Sequence, residues 1–259
     1  VHSENNPAII GGEDVTAPDK IQTSIVAVYD NQSQNLCTGA LLGNNLVLTA
    51  AHCLAANANT LQIYFGRDLN ATGFDPSMLR DVDKMMASPY NERRGFGKYS
   101  FGDIALVHFQ GSVPSGYKNA VFMGDKAALQ KGIAVVVAGY GFSNGVENSG
   151  MGILRKTTLT ILDPSYRPAD ADANDTFPAS EILVDQSQGR GTCHGDSGGP
   201  AFIMNRNRWY LWGVISRGIG PGLKDCTGQA LITNALIYKS WIMKTAKKMT
   251  ASSGNVLTQ

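Results

Sequence analysis

Three short motifs hold side chains that could together do nucleophilic chemistry. Thr49-Ala50-Ala51-His52-Cys53 supplies an imidazole, and Asp103-Ile104-Ala105-Leu106-Val107 places a carboxylate at the opening of an apolar run. Gly195-Asp196-Ser197-Gly198-Gly199-Pro200 centres a hydroxyl in a glycine-rich turn. Each alone has a plain structural reading: a core histidine, a turn or cap aspartate, a tight loop. Together they are the components of acyl transfer by serine. A serine hydroxyl is a weak nucleophile until a base within hydrogen-bond reach takes its proton, and that base needs a carboxylate to hold its tautomer. Backbone N–H groups must also meet the oxyanion that forms. His, Asp, Ser is one of the few chain orders in which this triad occurs.

The elements that must carry these residues read as strands. Short apolar or alternating runs recur at Ser24–Tyr29, Ala40–Leu42, Leu46–Thr49, Leu61–Phe65, Ile104–Phe109 and Ile133–Ala138. They continue at Leu154–Leu162, Ile182–Val184, Ala201–Met204, Tyr210–Ser216 and Ala230–Thr233, punctuated throughout by Gly, Asn, Asp and Ser. Leu159 and Ile161 alternate with Thr158 and Thr160 in the period-2 pattern of a half-buried strand. Such a succession, with almost no helical periodicity between, predicts an all-β sandwich or barrel. The one helix expected is C-terminal, 234–248, capped by Thr233 or Asn234, with Ile237 and Trp241 on one face and lysines gathered at its negative end. Residues 112–132 contain Pro114 and two interior glycines and read as a linker between comparable halves, 9–111 and 133–233. Residues 1–8 and 249–259 are polar and patternless.

Composition narrows the partners. The chain has 259 residues, with 22 Lys and Arg against 21 Asp and Glu, so no nucleic acid or anionic membrane partner held mainly by charge is expected. No stretch reaches the roughly 18 apolar residues of a membrane helix. With 29 glycines, about one residue in nine, tight turns between short strands are favoured. The sequence starts without methionine or a basic-plus-apolar leader, consistent with a removed signal peptide or a trimmed chain. Cys37, Cys53, Cys193 and Cys226 lack zinc or redox spacing; their even number fits two disulfides and an oxidising compartment, or buried thiols. His2, His108 and His194 suggest no metal site, although Asp68, Asn70 and Asp75 leave a calcium loop open. No cofactor is expected.

Motif, order and strand pattern coincide, and from about Ile9 to Ile242 the sequence resembles a chymotrypsin/trypsin-like serine endopeptidase. The resemblance implies two six-stranded antiparallel β-barrels, with the C-terminal α-helix added, and catalytic groups in the cleft between the barrels. It implies Ser197 as nucleophile, His52 as base and then acid, and Asp103 as the residue that orients the imidazole. The N–H groups of Gly195 and Ser197 would form the oxyanion hole. Ile9-Ile10-Gly11-Gly12 resembles the N-terminus that proteolysis creates in this family, whose ammonium would pair with Asp196. Because Ile9 follows Ala8, residues 1–8 read as an activation peptide, with tag or leader remnant as the bland alternative. The chain then reads as a zymogen with an incompletely organised oxyanion hole.

The same resemblance pairs Cys37 with Cys53 and Cys193 with Cys226, each bridge contributing about 3 kcal/mol by restricting the unfolded chain. A third bridge of many relatives is missing, so the loop from Asp163 to Ser180 is expected to be freer. Trypsin-like relatives carry an acid six residues before the serine; here that residue is Gly191, followed by Thr192. Ala230 falls on the opposite wall. Small uncharged walls imply preference for a small or apolar side chain before the scissile bond. Entry of Asp225 would instead restore an Arg or Lys preference. Ser216-Arg217-Gly218 resembles the segment that pairs with substrate as an extra strand, with Arg217 where tryptophan is usual, making the subsite basic or covering it with the arginine stem. His194 falls near the cleft rim.

The expected partners are protein or peptide substrates, plus an activating protease or this enzyme itself in trans. A secreted or periplasmic monomer is expected. A non-catalytic protease-like binding protein is the reading from a different class, and the presence of all three triad residues weighs against it.

Overall fold

The computed structural model describes residues 9–17, 19–71, 75–89, 102–124, 128–167 and 180–251. The expected activation peptide, most of the tail and the centre of the loop after Asp163 lie outside them. Six strands close the first barrel: β2 (Ile25–Asp30), β3 (Asn35–Leu41), β4 (Leu46–Thr49), β5 (Leu61–Tyr64), β6 (Leu79–Ala87) and β7 (Ala105–Phe109). Their order around it is β2-β3-β4-β7-β6-β5. The second uses β8 (Ala134–Gly139), β9 (Arg155–Tyr166), β10 (Glu181–Asp185), β11 (Pro200–Asn205), β12 (Arg208–Ile219) and β13 (Gln229–Asn234). Pairing of β8 with β9 closes it, and the short β1 (Glu13–Asp14) adds to the outer side of β9. All strand pairs are antiparallel.

Each barrel has its own apolar filling. Ile25, Val47, Leu48, Ile63 and Leu106 are fully buried in the first, and Val137, Ile161, Ile182, Trp212 and Ile232 in the second. Each such side chain stabilises by roughly 1.5–3 kcal/mol relative to exposure. In β9 the alternation is explicit, with Leu159 and Ile161 inward and Thr158 and Thr160 in solvent. β1 and β6 depart from the strand pattern expected. β6 carries Arg80, Asp81, Asp83 and Lys84, buries only Val82 fully, and has a bulge between Val82 and Lys84 that breaks its period.

The helix also differs. Thr233 and Asn234 remain in β13, paired with Val214 and Gly213. Asn234 Oδ1 then accepts from the Leu236 N–H at 3.1 Å, so this residue organises a turn, and α1 begins at Lys239 and ends at Thr250. Ile242 and Met249 pack α1 into the core of the first barrel. The crossing segment joins both halves: the Ala120 N–H donates to Leu41 O and the Met123 N–H to Leu211 O, each at 2.8 Å.

Candidate active site

Pairing of β4 with β7 sets Thr49 opposite Ala105, which brings the turn after β4 against the residues before β7. His52 stands in that turn, a single 3-10 turn over Ala51–Cys53, tethered to β3 by the Cys37–Cys53 disulfide. Asp103, 2 % exposed, accepts from the His52 backbone N–H through Oδ1 at 3.0 Å and contacts His52 Nδ1 through Oδ2 at 2.8 Å. From the second barrel, Ser216 Oγ donates to the same Oδ2 at 2.6 Å, and Thr233 Oγ1 to the Asp103 carbonyl at 3.1 Å. Burial raises the Asp103 pKa, but these hydrogen bonds and the imidazole outweigh it and hold the carboxyl below its ordinary value. An ionised carboxylate only accepts, so Nδ1 carries the proton and Nε2 keeps the lone pair. Burial also opposes charging of His52, but the bond to and charge of Asp103 prevail and raise its pKa above the usual imidazole value.

Ser197 shares a cleft of about 450 Å³ with His52 and Asp103. The backbone around it is tied at several points. The Thr38 N–H donates to Ser197 O, and the Gly198 N–H to Ile215 O, both at 2.8 Å. Gly198 adopts φ +81°, and a Cβ there would lie 2.1 Å from Thr49 Oγ1. Among the described residues, neither the Gly195 nor the Ser197 N–H has an acceptor, and Gly195 takes φ +98°.

Asp196 points the other way. Fully buried, its Oδ1 accepts from the Gly141 N–H at 2.7 Å and its Oδ2 from the Cys193 N–H at 2.8 Å. Burial nevertheless raises its pKa to about 7. Ile9 is fully buried, and Ile10 bridges to Gly191, whose N–H donates to Ile10 O at 2.9 Å. Ala8 lies outside the described residues.

Ser197, an oriented histidine and a buried aspartate thus line one cleft at the junction of two six-stranded barrels. The family model described as Trypsin matches residues 9–242. The chain belongs to the trypsin family. It is 26% identical over 256 residues to "CLIP domain-containing serine protease B4" of Anopheles gambiae, an alignment covering 90% of this chain and 69% of that one. Over 257 residues it is 26% identical to "Urokinase-type plasminogen activator" of Gallus gallus, covering 90% of this chain and 56% of that one. Like the family it belongs to, it is a serine endopeptidase.

Within this trypsin-family cleft the pocket differs from the sequence expectation. Thr192, Ser216, Arg217, Gly218 and His194 line it, joined by Ile215, Leu223 and the Cys193–Cys226 disulfide. Gly191 and Ala230 do not. Ala230 lies in β13 between Val184 and Gly218 with its side chain in the second core, and Gly191 is backed by Gln186. Gln186, 1 % exposed, had no sequence signal. Its Oε1 accepts from the Thr192 N–H at 2.6 Å and Thr192 Oγ1 at 2.8 Å. A Cβ on residue 191 would meet Gln186 Cδ at 2.7 Å, so an acid there would have to displace the amide. Asp225 is exposed and does not line the cleft.

Arg217 does not offer a free positive charge. Its guanidinium grips Glu181, 1 % exposed, through Nη1 at 2.5 Å and Nη2 at 3.0 Å. Of metal-binding groupings among the described residues, only Cys37, His52 and Cys53 are close enough, and both sulfurs there are in the disulfide.

Proposed function

We propose that the chain hydrolyses peptide bonds through an acyl-enzyme on Ser197, preferring a small or apolar residue before the scissile bond. His52 Nε2 takes the Ser197 proton as Oγ attacks the carbonyl carbon, and Asp103 stabilises the imidazolium. The Gly195 and Ser197 N–H groups receive the oxyanion. The imidazolium then protonates the leaving amine, and water repeats the sequence to free the acid. Oriented Nδ1 beside a cleft holding Ser197 is the observation that carries this mechanism.

The specificity reading rests on a pocket walled by Ile215, Leu223, the Thr192 side chain and a disulfide, with no carboxylate among the described residues besides Asp103, which is engaged by His52 and Ser216. A peptide library varying Ala, Val, Leu, Phe and Arg before the cut tests it; cleavage concentrated after Arg would replace it with a trypsin-like preference.

Activation is proposed at Ala8–Ile9. A freed Ile9 ammonium would give buried Asp196 a direct ion-pair partner beside the Gly141 and Cys193 N–H groups that hold it among the described residues. Ala8 is small and neutral, which suits the same pocket, so activation in trans is part of the proposal. Ser197→Ala protein mixed with a trace of active enzyme loses residues 1–8 on this account; intact protein would assign the cut to another protease. Two disulfides fit secretion or export to an oxidising compartment.

A further inference from the structure

Thr38 stands on β3, in the first barrel, yet contacts the backbone of both proposed oxyanion donors in the second. Its side chain is fully buried. Thr38 Oγ1 donates to the Gly195 carbonyl at 2.9 Å and accepts from the Tyr140 N–H at 3.1 Å, and the Thr38 N–H donates to the Ser197 carbonyl at 2.8 Å. The hydroxyl has one proton and it is spent on Gly195, so the geometry is fully satisfied. Thr38 O in turn accepts from Thr49 Oγ1 at 2.9 Å, which anchors the residue to the strand leading to His52.

We propose that Thr38 is a positioning residue for peptide hydrolysis: its hydroxyl clamps the Gly195–Asp196 peptide from across the barrel interface and thereby fixes the turn from which the Gly195 and Ser197 N–H groups project. The inference rests on the acyl-enzyme reading above. The bond to Gly195 O holds the Gly195–Asp196 peptide and the bond to Ser197 O the Ser197–Gly198 peptide, so the planes that follow the two donor residues are pinned and the turn that presents their N–H groups is held at both ends. Between them lies Asp196, whose carboxylate holds Gly141, the neighbour of Tyr140. Two tethers from one residue therefore close a loop around the site where negative charge develops. A turn so held needs no reorganisation when the oxyanion forms. The clamp touches no substrate atom, so it acts on the transition state rather than on binding.

The test compares wild type with Thr38→Val, which keeps the shape and deletes the hydroxyl, and Thr38→Ser, which keeps the hydroxyl. Both the full chain and the protein cleaved after Ala8 are assayed. The expected result is a loss of about tenfold to a hundredfold in kcat for T38V with KM within twofold. T38S should restore kcat, and inhibition by a peptide aldehyde, whose adduct places an oxyanion in the hole, should weaken in T38V in parallel. Should T38V fail to fold, Thr38→Ala carries the same comparison. A folded T38V or T38A with wild-type kcat and aldehyde affinity would overturn the clamp alone. Wild-type protein cleaved after Ala8 that hydrolyses no peptide, while folded, would overturn the protease mechanism beneath it.

Discussion

Arg217 and Glu181 form a two-pronged ion pair between β12 and β10, and the same guanidinium reaches Ser216 Oγ at 3.3 Å, one step from Asp103. Burial raises the Glu181 pKa, and Arg217 acts against that. The pair neutralises the guanidinium charge and leaves the arginine stem on the cleft wall, the second of the two readings of Arg217.

Glu181→Gln should therefore do two things. Arg217 is partly exposed and keeps its contact to Ser216, so losing the charge partner costs about 1.5–3 kcal/mol of stability. Arg217 already works against protonation of His52, so removing its counter-charge lowers the imidazole pKa and moves the acid limb of kcat/KM to lower pH. Thermal melting and a pH–rate profile check both; an unmoved limb would show that the pair does not reach the triad electrically.

Asp103→Asn keeps the shape but lets the amide donate, which selects the wrong imidazole tautomer. A fall in kcat of about 10⁴-fold is expected. In the wild type, activity should rise with pH through a pKa above 6.5, because the neutral imidazole is the active form and Asp103 holds its pKa up. For stability the sign is opposite. The His52–Asp103 contribution is complete below the unfolded histidine pKa and is lost as pH rises through the folded value.

Asp196 gives a different pH signature. Its folded pKa, about 7, lies above the ordinary 3.8, so the folded state holds a proton that the unfolded state has released. The uncleaved chain should lose stability as pH climbs from about 4 to 7, by on the order of 4 kcal/mol. Cleavage after Ala8 supplies an ammonium and should flatten that decline. Urea titrations at pH 5 and pH 8, before and after cleavage, measure the difference; identical slopes in the two forms would contradict it.

Gln186→Ala removes the amide that backs Gly191 and ties down Thr192. The pocket deepens, and the ratio of kcat/KM for Phe over Ala before the cut should rise by about tenfold or more. An unchanged ratio in a folded variant would exclude Gln186 from specificity.

Much of the scaffold was legible because burial writes itself into sequence. β4, β7 and β8 are nearly continuous apolar runs, and β9 alternates. β6 was hidden because four charges and a bulge mask its period. The helix begins later than its cap signal implies because Asn234 has the side chain of a cap but is still paired to Gly213. At the site, His52, Asp103 and Ser197 announce themselves through their motifs. Thr38, Glu181 and Gln186 do not, since their roles arise from contacts to Gly195, Arg217 and Thr192 that depend on how distant segments meet. Gly191 and Ala230 fall where family spacing implies pocket walls, but spacing along the chain carries no trace of Gln186 and the second core taking up the space beside them.

The most direct test of the mechanism is covalent titration of the cleaved protein with a serine-directed peptidyl phosphonate, read by peptide mass. One equivalent attached at Ser197, with activity lost in proportion and no labelling of Ser197→Ala, is the predicted result. Peptide hydrolysis that persists in Ser197→Ala, or a label on another residue that abolishes activity, would contradict it.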